Sequence, residues 1–247
     1  MGNDKPSSGM TRREWLRAAA LVGAGVAAGG ALLTLKLGQV SRGRDPDAFL
    51  FVRGEAGPGE DMWWNALAGR EAHVPDFSLW GGAMAVWKPS YDEDGDWLPG
   101  TGMSALLIRL PASRFTYPAA FEGKFVRIAA TPDVEESVIV ALFDRCTHLC
   151  GNPGWHVRPI PQDFKRYLVP PTTEIYDQDP IWCQSHNAMY DPLSLMMDRH
   201  PNGTEYIGAR LVHGPGTTAL PAIPLRREGE ILLGREENPG WYSAYCR

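Results

Sequence analysis

Two short stretches concentrate the residues able to bind a transition metal. "FDRCTHLC", residues 143 to 150, places Cys146 and His148 two apart, and "WCQSHNAMY", residues 182 to 190, places Cys183 and His186 three apart. Each stretch supplies one thiolate and one imidazole from a tight turn, so two such turns facing each other offer two sulfurs and two nitrogens. Zinc and iron–sulfur clusters both accept that donor set. Structural zinc fingers usually take two cysteines from one hairpin and two histidines from one helix, and Cys-x-His is a tight knuckle for such a finger. One cysteine and one histidine on each loop has a natural product instead: a two-iron cluster with both cysteines on one iron and both histidines on the other. His73, His156, His200 and His213 stand apart from cysteines and carboxylate motifs and are expected to be ordinary surface or hydrogen-bonded residues. His213, just ahead of a glycine–proline segment, is the reserve ligand.

The elements that must position these stretches read as β-structure. "SALLIRL" (104–110), "KFVRIAA" (124–130) and "VIVALF" (138–143) are rich in branched residues and bounded by Pro, Gly or Asp. "HPNGTEY" (200–206) reads as a turn around Asn202-Gly203 between two extended segments. "IPLRREGEILLGR" (223–235) reads as two short strands across Glu228-Gly229. The sequence shows no internal repeat, and an all-β domain is expected. Residues 63 to 97 hold five of the nine tryptophans, interleaved with Gly and Pro, and are expected to fill the core of an added lobe, with contact to a membrane or a partner as the alternatives. "YDEDGDW" (91–97) lacks the glycine and distal glutamate of a calcium loop and reads as a solvated turn.

The chain is 247 residues long, 44% hydrophobic and 21% charged, which is the composition of a globular protein. A net charge of −5 gives no electrostatic reason to expect nucleic acid as a partner. Four cysteines are too few for a disulfide scaffold of this length, yet enough for one metal site with a pair left over. Near the N-terminus, "TRREWLR" precedes an uncharged run of 18 residues from Ala18 to Leu35, the short limit for crossing a bilayer. Paired Arg12 and Arg13, then Trp15, Leu16 and a mild apolar stretch, resemble a twin-arginine export signal, a route taken by proteins already folded around a cofactor. The expected organisation is a cytoplasmic twin-arginine region (1–17), a retained transmembrane helix (18–35), a flexible tether (36–48), the tryptophan-rich segment (49–100) and a β-domain (101–247).

"CTHLC" and "CQSHNAMYD" resemble the two boxes of Rieske [2Fe–2S] proteins, and "GPGTTALP" (214–221) is similar to the proline loop that covers their cluster. Together with the export signal and anchor, the resemblance is to the respiratory branch, the Rieske subunit of cytochrome bc-type complexes. It covers the anchor and the chain from about residue 104 onward. It implies an antiparallel β-sandwich with a small cluster-binding subdomain, about 144–221, displayed on the extracytoplasmic side of the cell membrane. One [2Fe–2S] cluster per subunit would be held by Cys146 and Cys183 on one iron and by His148 and His186 on the other. Tyr190 would bond a cysteine sulfur, and Gly214 and Pro215 would form the covering loop. The implied activity is electron transfer from quinol, coupled to proton transfer through His148 and His186, to a cytochrome c or blue-copper acceptor, alongside a cytochrome b-type membrane subunit.

The sequence departs from that family in three places. Relatives usually carry a further cysteine in each box, joined as a disulfide, but the expected partner of Cys150 is Ser185, leaving Cys150 as a small buried thiol or as a partner for Cys246. A serine that usually donates to a bridging sulfide is Ala188 here, which points to a lowered potential and a low-potential quinone such as menaquinone. The boxes are also separated by 32 residues containing "RPIPQDFKRYLVPPT", read as an ordered excursion that either docks a partner or has no role in binding. Two other readings compete with the respiratory one. The chain is either a Rieske small subunit of another exported oxidoreductase, such as arsenite oxidase, or an oxygenase component; or it is a zinc-stabilised binding protein without redox function.

Overall fold

The computed structural model describes residues 44–54, 62–154, 181–183 and 185–235. The predicted export signal, transmembrane helix and most of the tether lie outside these residues, as do most of the excursion between the boxes and Cys246. Two compact units divide the chain, Met1–Arg44 and Asp45–Arg247. Among the described residues no helix is long and apolar enough to cross a membrane, and the regular structure is β-strand with four short 3-10 turns. The all-β expectation holds.

Eleven strands run in chain order: β1 (Phe49–Phe51), β2 (Gly82–Trp87), β3 (Met103–Pro111), β4 (Val126–Ile128), β5 (Ser137–Phe143), β6 (Ile181–Cys183), β7 (Ala188–Arg199), β8 (Glu205–His213), β9 (Leu220–Ile223), β10 (Leu225–Glu228) and β11 (Ile231–Gly234). The first nine form one sheet in the order β1-β2-β3-β5-β9-β8-β7-β6, with β4 on β5, while β10 and β11 make a separate hairpin. All the paired strands run antiparallel. The seam lies at β9, which pairs with β5 through Ala222 and Ile223 and with β8 through Leu220 and Pro221. β7 is the longest strand and contains Pro192, which has no N–H to give a ladder; the register shifts between Asp191 and Leu195, where the strand bulges around it.

β3 and β5 lie at the middle of the molecule because each is apolar on both faces. Ala105, Leu107, Ile139, Ala141 and Phe143 face one core, together with Phe49, Phe51, Trp64, Phe77 and Trp87. The alternate residues Leu106, Ile108, Leu110, Val138, Val140 and Leu142 face a second core with Phe115, Phe121 and Phe125. That second core also contains Cys146, Cys183, Ala188 and Tyr190, so one hydrophobic layer anchors the roots of both predicted ligand loops.

The tryptophan-rich segment is integral to the sheet. β1 and β2 extend it from β3, and the fully buried Trp64 and Trp87 fill the first core. Ala48, the last residue of the expected tether, is buried and bridges Leu233 of the closing hairpin. "YDEDGDW" is the exposed turn predicted, closed by Asp92 Oδ1 accepting from the N–H groups of Asp94 and Asp96.

Candidate metal centre

The two cysteine–histidine stretches fold into matching turns. In the first, which follows β5, the Cys150 N–H donates to the Cys146 carbonyl at 2.9 Å and Cys150 has φ of 58°. In the second, between β6 and β7, the Asn187 N–H donates to the Cys183 carbonyl at 2.9 Å and Asn187 has φ of 63°. Each turn thus begins at its cysteine and ends four residues on in the left-handed region, which curls the backbone around the sulfur. An antiparallel bridge between Gly154 and Trp182 joins the end of the first turn to β6. It pins both ends of the long excursion and sets the two turns side by side.

The four predicted ligands sort into two pairs. Cys146 and Cys183, both 1% exposed, lie in the same buried cluster at the roots of the two turns. The rings of His148 and His186 meet edge to face, with centroids 4.6 Å apart. Neither cysteine is in a disulfide. The Cys183 thiol donates to Cys146, which is the largest reason the Cys146 thiol is pulled down to about 5; the Tyr190 hydroxyl and the N–H groups of His148 and Leu149 add to the effect against the opposing cost of burial. Cys183, as the donor, is pushed up. The direction favours thiolate at Cys146, and thiolate is the form that binds metal. Nδ1 of His148 is buried and has no hydrogen-bond partner. An imidazole nitrogen in that state is short of a partner, and a metal ion is one it accepts.

Tyr190, at the start of β7, ties the first turn together. Its hydroxyl lies 3.3 Å from Cys146 Sγ, accepts from the Thr147 N–H at 3.0 Å and sits 2.9 Å from Thr147 Oγ1. Thr147 Oγ1 donates onward to the Thr218 carbonyl at 2.9 Å, and Thr217 Oγ1 donates to the Thr147 carbonyl at 3.1 Å. The predicted covering loop is therefore bound to the first turn through its threonines.

The same loop touches the second turn at Gly214, whose φ is 87° and where a Cβ would come within 2.7 Å of Ala188 Cα. At Gly216 a Cβ would lie 3.0 Å from Thr147 Oγ1 and 3.1 Å from the Tyr190 hydroxyl. Two glycines let the loop close on both turns, with Pro215 exposed at its crest. His213, the reserve ligand, pairs with Met189 in the β7–β8 ladder.

Cys150 is disulfide-bonded, and neither Cys146 nor Cys183 is its partner. Of the two alternatives for Cys150, the free thiol is overturned; the other, pairing with Cys246, involves a residue outside those described.

Sequence reasoning singled out the four candidate ligands and Tyr190 but passed over Thr147, which the motif presented only as a spacer between cysteine and histidine. It also passed over Gly151, where a Cβ would lie 3.0 Å from Ser185 Oγ and 3.4 Å from Cys183 Sγ. No family model matches the chain, and no curated protein matches it.

Proposed function

We propose that this chain is a membrane-anchored Rieske iron–sulfur protein, the electron-transfer subunit of a quinol-oxidising, cytochrome bc-type complex. The observation that carries the reading is the sorting of the donors, thiols with thiols and imidazoles with imidazoles, on two matching turns. Two separate donor pairs suit a two-iron cluster better than a single zinc. Cys146 and Cys183 would hold one iron, and His148, through Nδ1, and His186 the other. When bound, such a cluster supplies reversible one-electron transfer at a potential that histidine ligation raises to roughly −150 to +300 mV.

The chain's own residues have distinct tasks on this reading. Tyr190 donates toward Cys146 Sγ, and the 214–221 loop shields the sulfur side from water. His148 and His186 keep their second ring nitrogens for a quinol hydroxyl, holding or releasing its proton there. Leu149, 66% exposed beside His148, offers an apolar shoulder to the quinol or to the membrane subunit that presents it. The reading makes 144–221 the cluster-binding part of a β-sandwich. The 18–35 helix would anchor it, and the upstream tether would let it travel from a cytochrome b-type subunit to a cytochrome c or blue-copper acceptor.

The test is electron paramagnetic resonance of the chemically reduced full-length protein in detergent, with iron and acid-labile sulfide counted on the same sample. The expected result is a rhombic signal whose average g lies below that of all-cysteine clusters, with iron and sulfide in equal amounts. A colourless, silent protein carrying stoichiometric zinc overturns the proposal.

A further inference from the structure

The covering loop is fastened at its far end by the β7–β8 hairpin. The β8–β9 ladder ends with Ala209 opposite Leu220, and the residue before Leu220, Ala219, is gripped by side chains. Its N–H donates to Asp198 Oδ2 at 2.7 Å, and its carbonyl accepts from the Tyr206 hydroxyl at 2.8 Å. Asp198 and Tyr206 are register partners, so a single rung of the hairpin takes both polar backbone groups of Ala219. Ala219 and Tyr206 are buried. Gly208 lets the hairpin come this close: a Cβ there would meet the Leu220 carbonyl and lie 3.1 Å from Ala219 Cβ. Thr218 carries the grip to the candidate centre. Its carbonyl accepts from Thr147 Oγ1, which sits 2.9 Å from the Tyr190 hydroxyl, itself 3.3 Å from Cys146 Sγ.

We propose that Asp198 and Tyr206 are positioning residues of the candidate centre: by clamping Ala219 through its N–H and its carbonyl, they hold the covering loop down on the two turns. The metal that the loop would cover rests on the iron–sulfur reading above, whereas the clamp rests on its own contacts. The loop needs such a hold because Gly214 and Gly216, which let it close on the turns, also give it the most conformational freedom to lose. Its near end follows directly from β8 at His213, and its far end has the clamp. A hydrogen bond to a carboxylate is stronger than one between neutral groups, and a buried acceptor deprived of a donor is costly. Loss of either side chain therefore loosens Thr218 and the bond it makes with Thr147.

The experiment is hydrogen–deuterium exchange of full-length protein in detergent, read by mass spectrometry over residues 214–221, with iron release to a chelator timed on the same samples. The proteins are the wild type, Tyr206→Phe, Asp198→Ala, Asp198→Asn and Glu205→Gln. Tyr206→Phe and Asp198→Ala are each expected to speed exchange in the loop by about tenfold, and iron release with it. Asp198→Asn keeps an acceptor oxygen for Ala219 and is expected to restore most of the protection. Glu205→Gln breaks the exposed Arg199–Glu205 pair on the next rung and is expected to change neither rate. Unchanged loop exchange in both Tyr206→Phe and Asp198→Ala overturns the proposal. Equal acceleration in Glu205→Gln also overturns it, since a loosened hairpin and not the clamp would be the cause. Faster exchange without faster iron release overturns the positioning role, because the loop would then not guard the metal. A wild type that binds no iron removes the iron–sulfur reading, and the clamp then stands or falls on the exchange rates alone.

Discussion

Asp144 shows how closely a single buried group is tied to the site. It is fully enclosed between β5 and the first turn, where its N–H donates to the Ser104 carbonyl at 3.0 Å and Oδ2 accepts from the Ser104 hydroxyl at 3.5 Å. Burial pushes its carboxyl up to about 7, with partial relief from Arg145. The folded chain thus keeps a proton that the unfolded chain loses near pH 4, so stability present in acid is lost as the pH rises through 7. Between pH 5 and pH 8.5 the loss should be roughly 2–3 kcal/mol, at about 1.4 kcal/mol per pH unit. Urea midpoints should fall across that range for the wild type, and Asp144→Asn should remove most of the fall. An identical slope for both proteins would mean that Asp144 is ionised throughout. At this scale the sequence was readable where residue type alone carries the chemistry: two Cys-His pairs mark themselves as candidate ligands. Thr147 and Gly151 were not readable, because their roles arise from neighbours that the fold brings from elsewhere. Thr147, for example, meets Thr218 from 71 positions away.

Among the elements, the covering loop decides whether the two turns act as one site. Neither turn is joined to the other by a disulfide, since Cys150 is bonded elsewhere and Ser185 faces Gly151. The threonines of the loop grip the first turn, and Gly214 lies flat on the second. A side chain at Gly214 would meet both a φ of 87° and the Asn187–Ala188 backbone. Gly214→Ala should therefore cost at least about 1–2 kcal/mol from backbone strain alone. It should also lift the loop, and on the proposed iron–sulfur reading the rate of iron release to a chelator would report that opening directly. Unchanged release at an unchanged melting temperature would show that the turns hold themselves. β3 and β5 could be read in the sequence because unbroken apolar runs mark strands buried on both faces. The hairpins around Asn202-Gly203 and Glu228-Gly229 were marked by their turn residues. β1 and β2 escaped notice: one is three residues long, and the other, "GAMAVW", faces the core with the short Ala83 and Ala85 beside Trp87, which weakens its strand signal.

Across the whole molecule, Trp87 links the early part of the chain to its last strand. It stacks on Phe49 at a ring separation of 6.0 Å, and a Cβ at Gly234 would clash with its indole, meeting Cε2, Nε1 and Cζ2. Gly234→Ala should overpack that contact and cost about 1–3 kcal/mol. Because this core lies on the face of β3 and β5 away from the cysteines, the midpoint potential should not move with the denaturation midpoint. A shift in both would show that strain crosses the sheet. The two-faced character of β3 and β5 also governs what can be cut from the chain. A fragment begun at residue 101, the boundary suggested by the motifs, would strip β1 and β2 from the edge of β3 and leave Leu107, Ala141 and Phe143 against water. An exposed sheet edge beside an apolar face invites pairing with other chains. Trimming the molecule to the half that carries the candidate ligands would therefore produce an aggregating fragment, and the shortest soluble piece is expected to begin ahead of Phe49.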